Sequence, residues 1–381
     1  MNISLYIHFP FCVRKCLYCD FNSLADSPVN PAEYVAAVER EMGVRAERLT
    51  VPVTAPTLYF GGGTPSLMAP DLVARLIESA TRLYGLADDA EITIEANPGT
   101  LTAAKLAGYR AAGVNRISLG VQSFNDTLLE RLGRIHSAHE AVEAFAMARE
   151  AGFGNIGIDL IHSLPGETLA HWRADLARAV TLGPEHISAY GLTVEEGTPF
   201  HDLEREGRLL PPGEEESLEM FRQTAEFLRG REYEHYEISN FARPGFRSRH
   251  NQVYWRRGNY IGFGAGAHSF LGTSGCGVRW RNTLSPGAYR QVICRALLPE
   301  EELTTITERD AMAEFFFLGL RMLEGVDLEL FRREFGLTAE DAYPGVLERL
   351  LAEGAVECPE GFLRLTETGL RLANQVFMRF I

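Results

Sequence analysis

Three of the chain's six cysteines, Cys12, Cys16 and Cys19, fall within eight residues, while Cys276, Cys294 and Cys358 stand alone far downstream. In the spacing C-x3-C-x2-C, loop thiolates three or four residues apart can face one point. A structural zinc ion normally takes four protein ligands, most often as two separated pairs. A ferredoxin cluster likewise takes four cysteines. Three thiolates with no obvious fourth point to a 4Fe–4S cluster whose remaining iron stays open to a small molecule. Two other readings of the same residues stay open: a zinc site completed by His8 or Asp20, and three thiols that share no ligand.

The elements that would position this triplet repeat one phrase from residue 3 to about 195. Each repeat is a short β-rich run, a Gly/Pro/Asn break and an amphipathic helical run. Strands are predicted at 3–9, 57–60, 91–96, 115–121, 155–161 and 186–192. Helices are predicted at 31–49, 70–84, 103–112, 139–151 and 169–182. The strands read as nearly continuous apolar runs, as in a parallel sheet covered by helices. Six βα units predict an α/β fold, a (β/α)6 partial barrel of the TIM type. An open doubly wound sheet is the alternative, weakened because no dinucleotide fingerprint follows the first strand. In such a barrel the reactive face lies at the C-terminal ends of the strands. The cysteine loop, the glycines at 61–63 with Thr64, Glu95, Gln122, Asp159 and Tyr190-Gly191 all fall at or near those ends.

Beyond residue 195 the pattern loosens into a helix at 214–229, a Tyr-rich run at 233–239 and an aromatic, Gly-rich stretch at 250–271. A second composition begins at 286, with helices at 308–323 and 343–353, a hairpin at 356–365 and a helix at 367–380. The expected domains are therefore 1–285 and a small, mainly helical, winged-helix-like unit at 286–381. Although that outline often binds DNA, residues 286–381 carry 10 Arg and 17 acidic residues, and the whole chain has a net charge of −14. Electrostatics thus exclude nucleic acid as the main partner. At 46% hydrophobic and 23% charged, the composition excludes a disordered or fibrous chain. No 18-residue apolar run and no signal-peptide pattern is present, so a cytoplasmic protein with free thiols, not an integral membrane protein, is expected. Lys15 and Lys105 are the only lysines; this arginine bias carries no functional information.

The cysteine motif at the top of the first strand resembles the radical S-adenosylmethionine superfamily. Within it, Tyr6-Ile7-His8-Phe9-Pro10-Phe11-Cys12, Phe60-Gly61-Gly62-Gly63-Thr64-Pro65 and Gly157-Ile158-Asp159-Leu160-Ile161 resemble the oxygen-independent coproporphyrinogen III oxidase family. Two features match its haem chaperone branch. Phe21, in Cys19-Asp20-Phe21-Asn22-Ser23, stands where the decarboxylating oxidases have a further cysteine. His250-Asn251-Gln252-Val253-Tyr254-Trp255 matches that branch's HNxxYW signature. The resemblance spans almost the whole chain, including the C-terminal unit.

The resemblance implies a 4Fe–4S cluster on Cys12, Cys16 and Cys19, with exchangeable S-adenosylmethionine at the open iron. Tyr6, Gly62, Gly63, Thr64 and Glu95 would contact that cofactor. Gln122, Arg134 and Asp159 match further ligand positions, for a second cofactor molecule or for the porphyrin side. Haem would be handed to an acceptor protein, a respiratory protein among the candidates, with a flavodoxin or ferredoxin as electron donor. In the superfamily's chemistry the reduced cluster gives one electron to the sulfonium, and the carbon–sulfur bond breaks to a 5′-deoxyadenosyl radical. No residue is assigned a catalytic role. The rival within the family is oxidative decarboxylation of coproporphyrinogen III, against which Phe21 and the HNxxYW run both count. A zinc-stabilised barrel enzyme without radical chemistry is the third reading.

The residue types have their own logic. Glycines let a backbone approach a ligand's ammonium closely, and a buried Glu95 or Asp159 pairs with an ammonium or with ribose hydroxyls. Glu95 also reads as a helix N-terminal carboxylate before Asn97-Pro98, and Arg134 as a solvated helix-end charge. His250 could ligate haem iron, with Tyr254 and Trp255 as flat surface for the macrocycle. Equally, His250 could be a structural histidine bonded to Asn251. His8 is placed to support the cluster loop. Gly262-x-Gly264-x-x-Ala267 formally fits a dinucleotide pattern, but it lacks the following helix and acid and is rejected.

Overall fold

The computed structural model describes residues 1–272 and 276–381. Its first half alternates β1 (Ser4–Phe9), α1 (Pro31–Ala46), β2 (Ala55–Gly62), α2 (Pro70–Tyr84), β3 (Leu86–Ala96) and α3 (Ala103–Ala112). There follow β4 (Arg116–Gln122), α4 (Asp126–Leu132), α5 (Ala138–Glu150), β5 (Ile156–His162), α6 (Leu169–Leu182) and β6 (His186–Gly191). Local chemistry sets the helix ends. The Asn30 side chain accepts from the Ala32 amide ahead of Pro31, Ser137 and Glu140 close a capping box, and α2 stops at Gly85 with φ +59°.

Strands β1 to β6 are parallel neighbours in chain order. A doubly wound sheet would reverse direction at a switch point; this one does not, so it is a partial barrel. It stays open. β1 takes β9 (Tyr260–Phe263) as a further parallel neighbour. β6 ends against an antiparallel ribbon, β7 (Glu234–Glu237) and β8 (Asn240–Ala242). Three antiparallel strands, β10 (His268–Leu271), β11 (Val278–Asn282) and β12 (Glu300–Thr305), extend the other edge to twelve strands in all.

The strands are not continuous apolar runs. Ile7, Phe9, Leu58, Phe60, Ile92, Ile94, Ile117, Leu119, Ile156, Ile158 and Ile187 join the helices in the main core. Residues of the opposite parity are polar: Tyr6 and His8, Thr57 and Tyr59, Glu91, Thr93 and Glu95, Arg116 and Ser118, Asp159, His186 and Ser188. Side chains alternate faces along a strand, so the outer face is apolar and the barrel lumen is polar.

The later segments are α7 (Pro199–Arg205), α8 (Glu214–Arg229), α9 (Arg249–Trp255) and α10 (Pro286–Cys294). Although composition changes at 286, the fold does not. Tyr289 and Ile293 of α10 are buried in the main core, and β12 completes the first sheet. The second core takes Phe270 from the sheet and otherwise its buried residues from Ile306 onward. It is built on α11 (Glu308–Gly319), α12 (Leu328–Phe335) and a three-stranded sheet of β13 (Val326–Asp327), β14 (Val356–Glu357) and β15 (Phe362–Leu365). Arg257 and Arg279, at 3.1 and 3.0 Å from Glu314, tie the two units together. The Gly-rich turn after β9 serves packing. The Gly264 amide donates to buried Glu41 at 2.9 Å, which also holds Arg45, Asn282 and Tyr289.

Candidate cofactor and ligand site

The loop after β1 is stitched to itself and to its neighbours. The Cys12 amide donates to Leu24 O, the Leu24 amide to Pro10 O, and the Leu17 amide to Leu132 O at the end of α4. Cys12, Cys16 and Cys19 are half-buried and line one cleft of about 390 Å³ at the C-terminal ends of the strands. Donors face two of the sulfurs: the Thr64 hydroxyl lies 3.4 Å from Cys12 Sγ, and Arg134 Nη1 3.4 Å from Cys16 Sγ. Burial pushes the Cys19 thiol up. Among the described residues, no three His, Cys, Asp or Glu side chains converge closely enough for a single metal ion. His8 is engaged on both ring nitrogens, by Tyr6 at 3.1 Å and by Asn22 O at 2.8 Å. Three thiols open to a common cleft suit a multi-iron cluster, which spreads its ligands, better than one zinc ion.

The glycine run has a reason that spacing did not disclose. A Cβ at Gly61 would stand 2.8 Å from the Tyr6 ring, at Gly62 2.7 Å from the His8 ring, and at Gly63 2.7 Å from Phe11 O. The glycines thus let the end of β2 lie against β1 and the cysteine loop, where the Gly63 and Thr64 amides donate to Phe9 O and Phe11 O. Gly62, Gly63 and Thr64 line the cleft. Tyr6 does not; it lies behind Tyr59, ring centroids 6.1 Å apart.

Glu95 accepts from the Tyr59 hydroxyl at 2.8 Å and from the Gly62 amide at 3.3 Å. Burial pushes its carboxyl up to about 7 against the pull of those bonds. It is no helix cap, since Asn97 takes that role by accepting from the Gly99 amide. Burial also pushes Asp159 up, opposed by Ser188, Ser118 and the nearby Arg116 charge. Gln122 ends β4 at φ +69°, where the register with β5 slips; a non-glycine residue in that region is strained. Arg134 is no solvated helix-end charge, because its Nη2 donates to Gly120 O at 2.6 Å. Glu95, Gln122, Arg134 and Asp159 all line the cleft.

The structure moves His250 out of this constellation. It is buried at the start of α9 with both ring nitrogens occupied, by Thr57 Oγ1 at 2.7 Å and by the Tyr254 hydroxyl at 2.7 Å. Its amide donates to Glu91 at 3.0 Å, and burial lowers its pKa to about 3. His250 is thus a buried histidine with both ring nitrogens hydrogen-bonded, outside the residues that line the cleft. Tyr254 packs edge-on to Tyr260 at 4.7 Å, and Arg321 lies over the Trp255 ring at 4.2 Å. Asn251 is not the partner of His250; it lines the cleft.

Sequence reasoning passed over Tyr18, Tyr59, Arg116, Ser118 and Ser188, all of which line the cleft. The signal lay in the alternation Arg116-Ile117-Ser118-Leu119-Gly120-Val121-Gln122, whose polar residues share one face.

The fold and the cleft define a radical S-adenosylmethionine protein. Residues 6–179 match the radical SAM superfamily and residues 306–372 the HemN C-terminal domain. The solved structure of coproporphyrinogen III oxidase (HemN) from Escherichia coli, described as a radical SAM enzyme, superposes with a TM-score of 0.84 at 25% identity, covering 100% of this chain and 90% of that one. In sequence the chain is 38% identical to the heme chaperone HemW of Bacillus subtilis, over 99% of each chain. It is 38% identical to the heme chaperone HemW of E. coli K12, over 100% of this chain and 98% of the relative. The chain belongs to the HemW family.

Proposed function

We propose that this protein is a haem chaperone that binds haem and passes it to an acceptor protein, a respiratory one among the candidates. In this reading Cys12, Cys16 and Cys19 hold a 4Fe–4S cluster, with S-adenosylmethionine at the open iron. A flavodoxin- or ferredoxin-type donor in the cytoplasm would reduce it. One observation carries the reading: the likeness to relatives named as haem chaperones runs the full length of the chain, C-terminal unit included. Phe21 supports it. It is 61% exposed and lines the cleft at the position where the oxidase resemblance places a cysteine.

When bound, the cluster supplies an open coordination position and a single electron. The chain's own residues do the rest. Thr64 and Arg134 donate to two of the sulfurs and hold their negative charge in place. Glu95 and Asp159 offer acceptors to the cofactor's ammonium and hydroxyls, and Gln122 offers an amide. The cysteine loop, pinned at Leu17 and Leu24, keeps these groups in register.

Anaerobic reconstitution with iron and sulfide, followed by haem titration, tests the proposal. The expected result is a brown protein that binds haem stoichiometrically and forms no protoporphyrinogen IX from coproporphyrinogen III. Product formation without haem binding would move the assignment to the oxidase, and a colourless zinc protein would end both.

A further inference from the structure

The chain carries 37 basic side chains, and all but Lys15 and Lys105 are arginine. The bias itself says nothing about function, but both exceptions stand at the loops that build the cleft. Lys15 lies within the cysteine loop, where its ammonium donates to Phe21 O at 3.0 Å. Lys105 lies in the first turn of α3, behind the cleft wall rather than in its lining. Its one nitrogen donates to Ser66 O at 2.8 Å and to Thr100 O at 3.2 Å. Ser66 belongs to the short turn after β2 (Pro65–Leu67), and Thr100 to the one after β3 (Pro98–Thr100). Thr64, which faces Cys12, directly precedes the first of these turns, and Glu95 stands shortly before the second. Ser66 Oγ joins the same two turns, 2.6 Å from Thr100 Oγ1 and accepting from the Asn97 amide at 3.1 Å. Tyr109, a turn further along α3, donates to Ser66 O and Met68 O and so holds the first turn only.

Helix stability does not account for a charge at this place. A cation in the first turn opposes the helix dipole, and partial burial pulls the Lys105 pKa down. Geometry does account for it. An ammonium is a compact donor that can send two N–H bonds to oxygens converging on one point, whereas a guanidinium spreads its donors across a plane. We infer that Lys105 is a positioning residue of the cofactor site: its ammonium clamps the turns after β2 and β3 and so sets the spacing of Thr64 and Glu95 for the molecule bound between them. Lys105 has this role only if the cleft holds a cluster and S-adenosylmethionine, as proposed above; haem transfer is not required for it.

Anaerobically reconstituted full-length protein, native and with Lys105→Met or Lys105→Arg, is titrated with S-adenosylmethionine. Four quantities are followed: Kd, iron per chain, melting temperature and the electron paramagnetic resonance spectrum of the dithionite-reduced cluster. The native cluster signal is expected to change shape when the cofactor is added. Lys105→Met should bind the cofactor about tenfold more weakly, within the usual reach of a residue that orients a ligand-holding group. Its cluster signal should change shape only at correspondingly higher concentration, with iron content and melting temperature near native. Lys105→Arg, which keeps the charge, should recover only part of the affinity. Native affinity in either variant overturns the assignment. So does a loss that merely follows a fall in melting temperature or iron content, since Lys105 would then be a stabilising residue only. A native protein that holds its cluster but neither binds S-adenosylmethionine nor changes its signal ends the cofactor reading itself, an outcome distinct from normal native binding with unaffected variants.

Discussion

Burial and hydrogen bonding pull the Glu95 carboxyl in opposite directions, and the balance leaves it near pH 7. Two consequences have opposite signs. The ionised form attracts an ammonium or sulfonium, so S-adenosylmethionine affinity should rise between about pH 6 and about pH 8 and be flat in Glu95→Gln. For stability, the folded-state pKa lies above its ordinary value of 4.5. The folded state thus holds the proton more tightly, and the buried acid costs stability as pH rises from about 4.5 to about 7. Thermal melts should find Glu95→Gln more stable than the native chain at about pH 8 and equal to it at about pH 4. His250 engages both ring nitrogens, with Thr57 and with Tyr254, so ligating haem iron would require breaking one of these bonds. His250→Ala is expected to leave haem affinity unchanged and to cost about 2–3 kcal/mol in urea unfolding, from a small cavity and two stranded hydroxyls. A large loss of haem binding with normal stability would restore the ligand role.

At the scale of elements, the cleft depends on how closely the end of β2 approaches the cysteine loop. A Cβ at Gly63 meets backbone oxygens of Phe9 and Phe11 as well as the Phe11 amide, none of which can swing aside. Gly63→Ala should therefore lower both the melting temperature and the iron bound per chain. Gly154→Ala, with nothing within 4 Å of its added Cβ, should change neither. Equal iron content in the two variants would show that the glycine run does not hold the loop. Most elements were legible beforehand. The predicted helix at 70–84 coincides with α2 (Pro70–Tyr84) and that at 169–182 with α6 (Leu169–Leu182), because their hydrophobic period is regular and Pro or Gly marks their ends. α4 (Asp126–Leu132) and α12 (Leu328–Phe335) were missed because each is only two turns long. The alternating lumen residues were hidden by Ile, Val and Leu on the other face of every strand.

At the scale of the molecule, the two units share buried charge. Arg257 is 10% and Glu314 6% exposed, and Arg257 also reaches Glu334 at 3.0 Å. Arg257→Met leaves Glu314 with Arg279 as its remaining arginine partner, which is 35% exposed. Urea unfolding should record a loss of about 3 kcal/mol for this variant and a smaller one for Arg279→Met. Equal losses would mean that the buried member carries no special share of the interface. The boundary placed at 286 followed a change in composition, but cores are defined by what packs. Tyr289 of α10 donates to Glu41 of α1 at 2.6 Å, a contact no local pattern announces. Among the described residues no helix is long and apolar enough to cross a membrane.

The sequence by itself determined the βα rhythm, the cysteine triplet and the family, since each is written in local spacing and residue type. It also determined which residues stand near the strand ends, because strand order and chain order coincide here. Only the tertiary structure decided which of those residues open into the cleft and that His250 is sealed behind it. Those outcomes depend on strand register and on contacts between segments more than a hundred residues apart, such as Thr57 with His250. One residue's slip in register would turn every inward side chain outward.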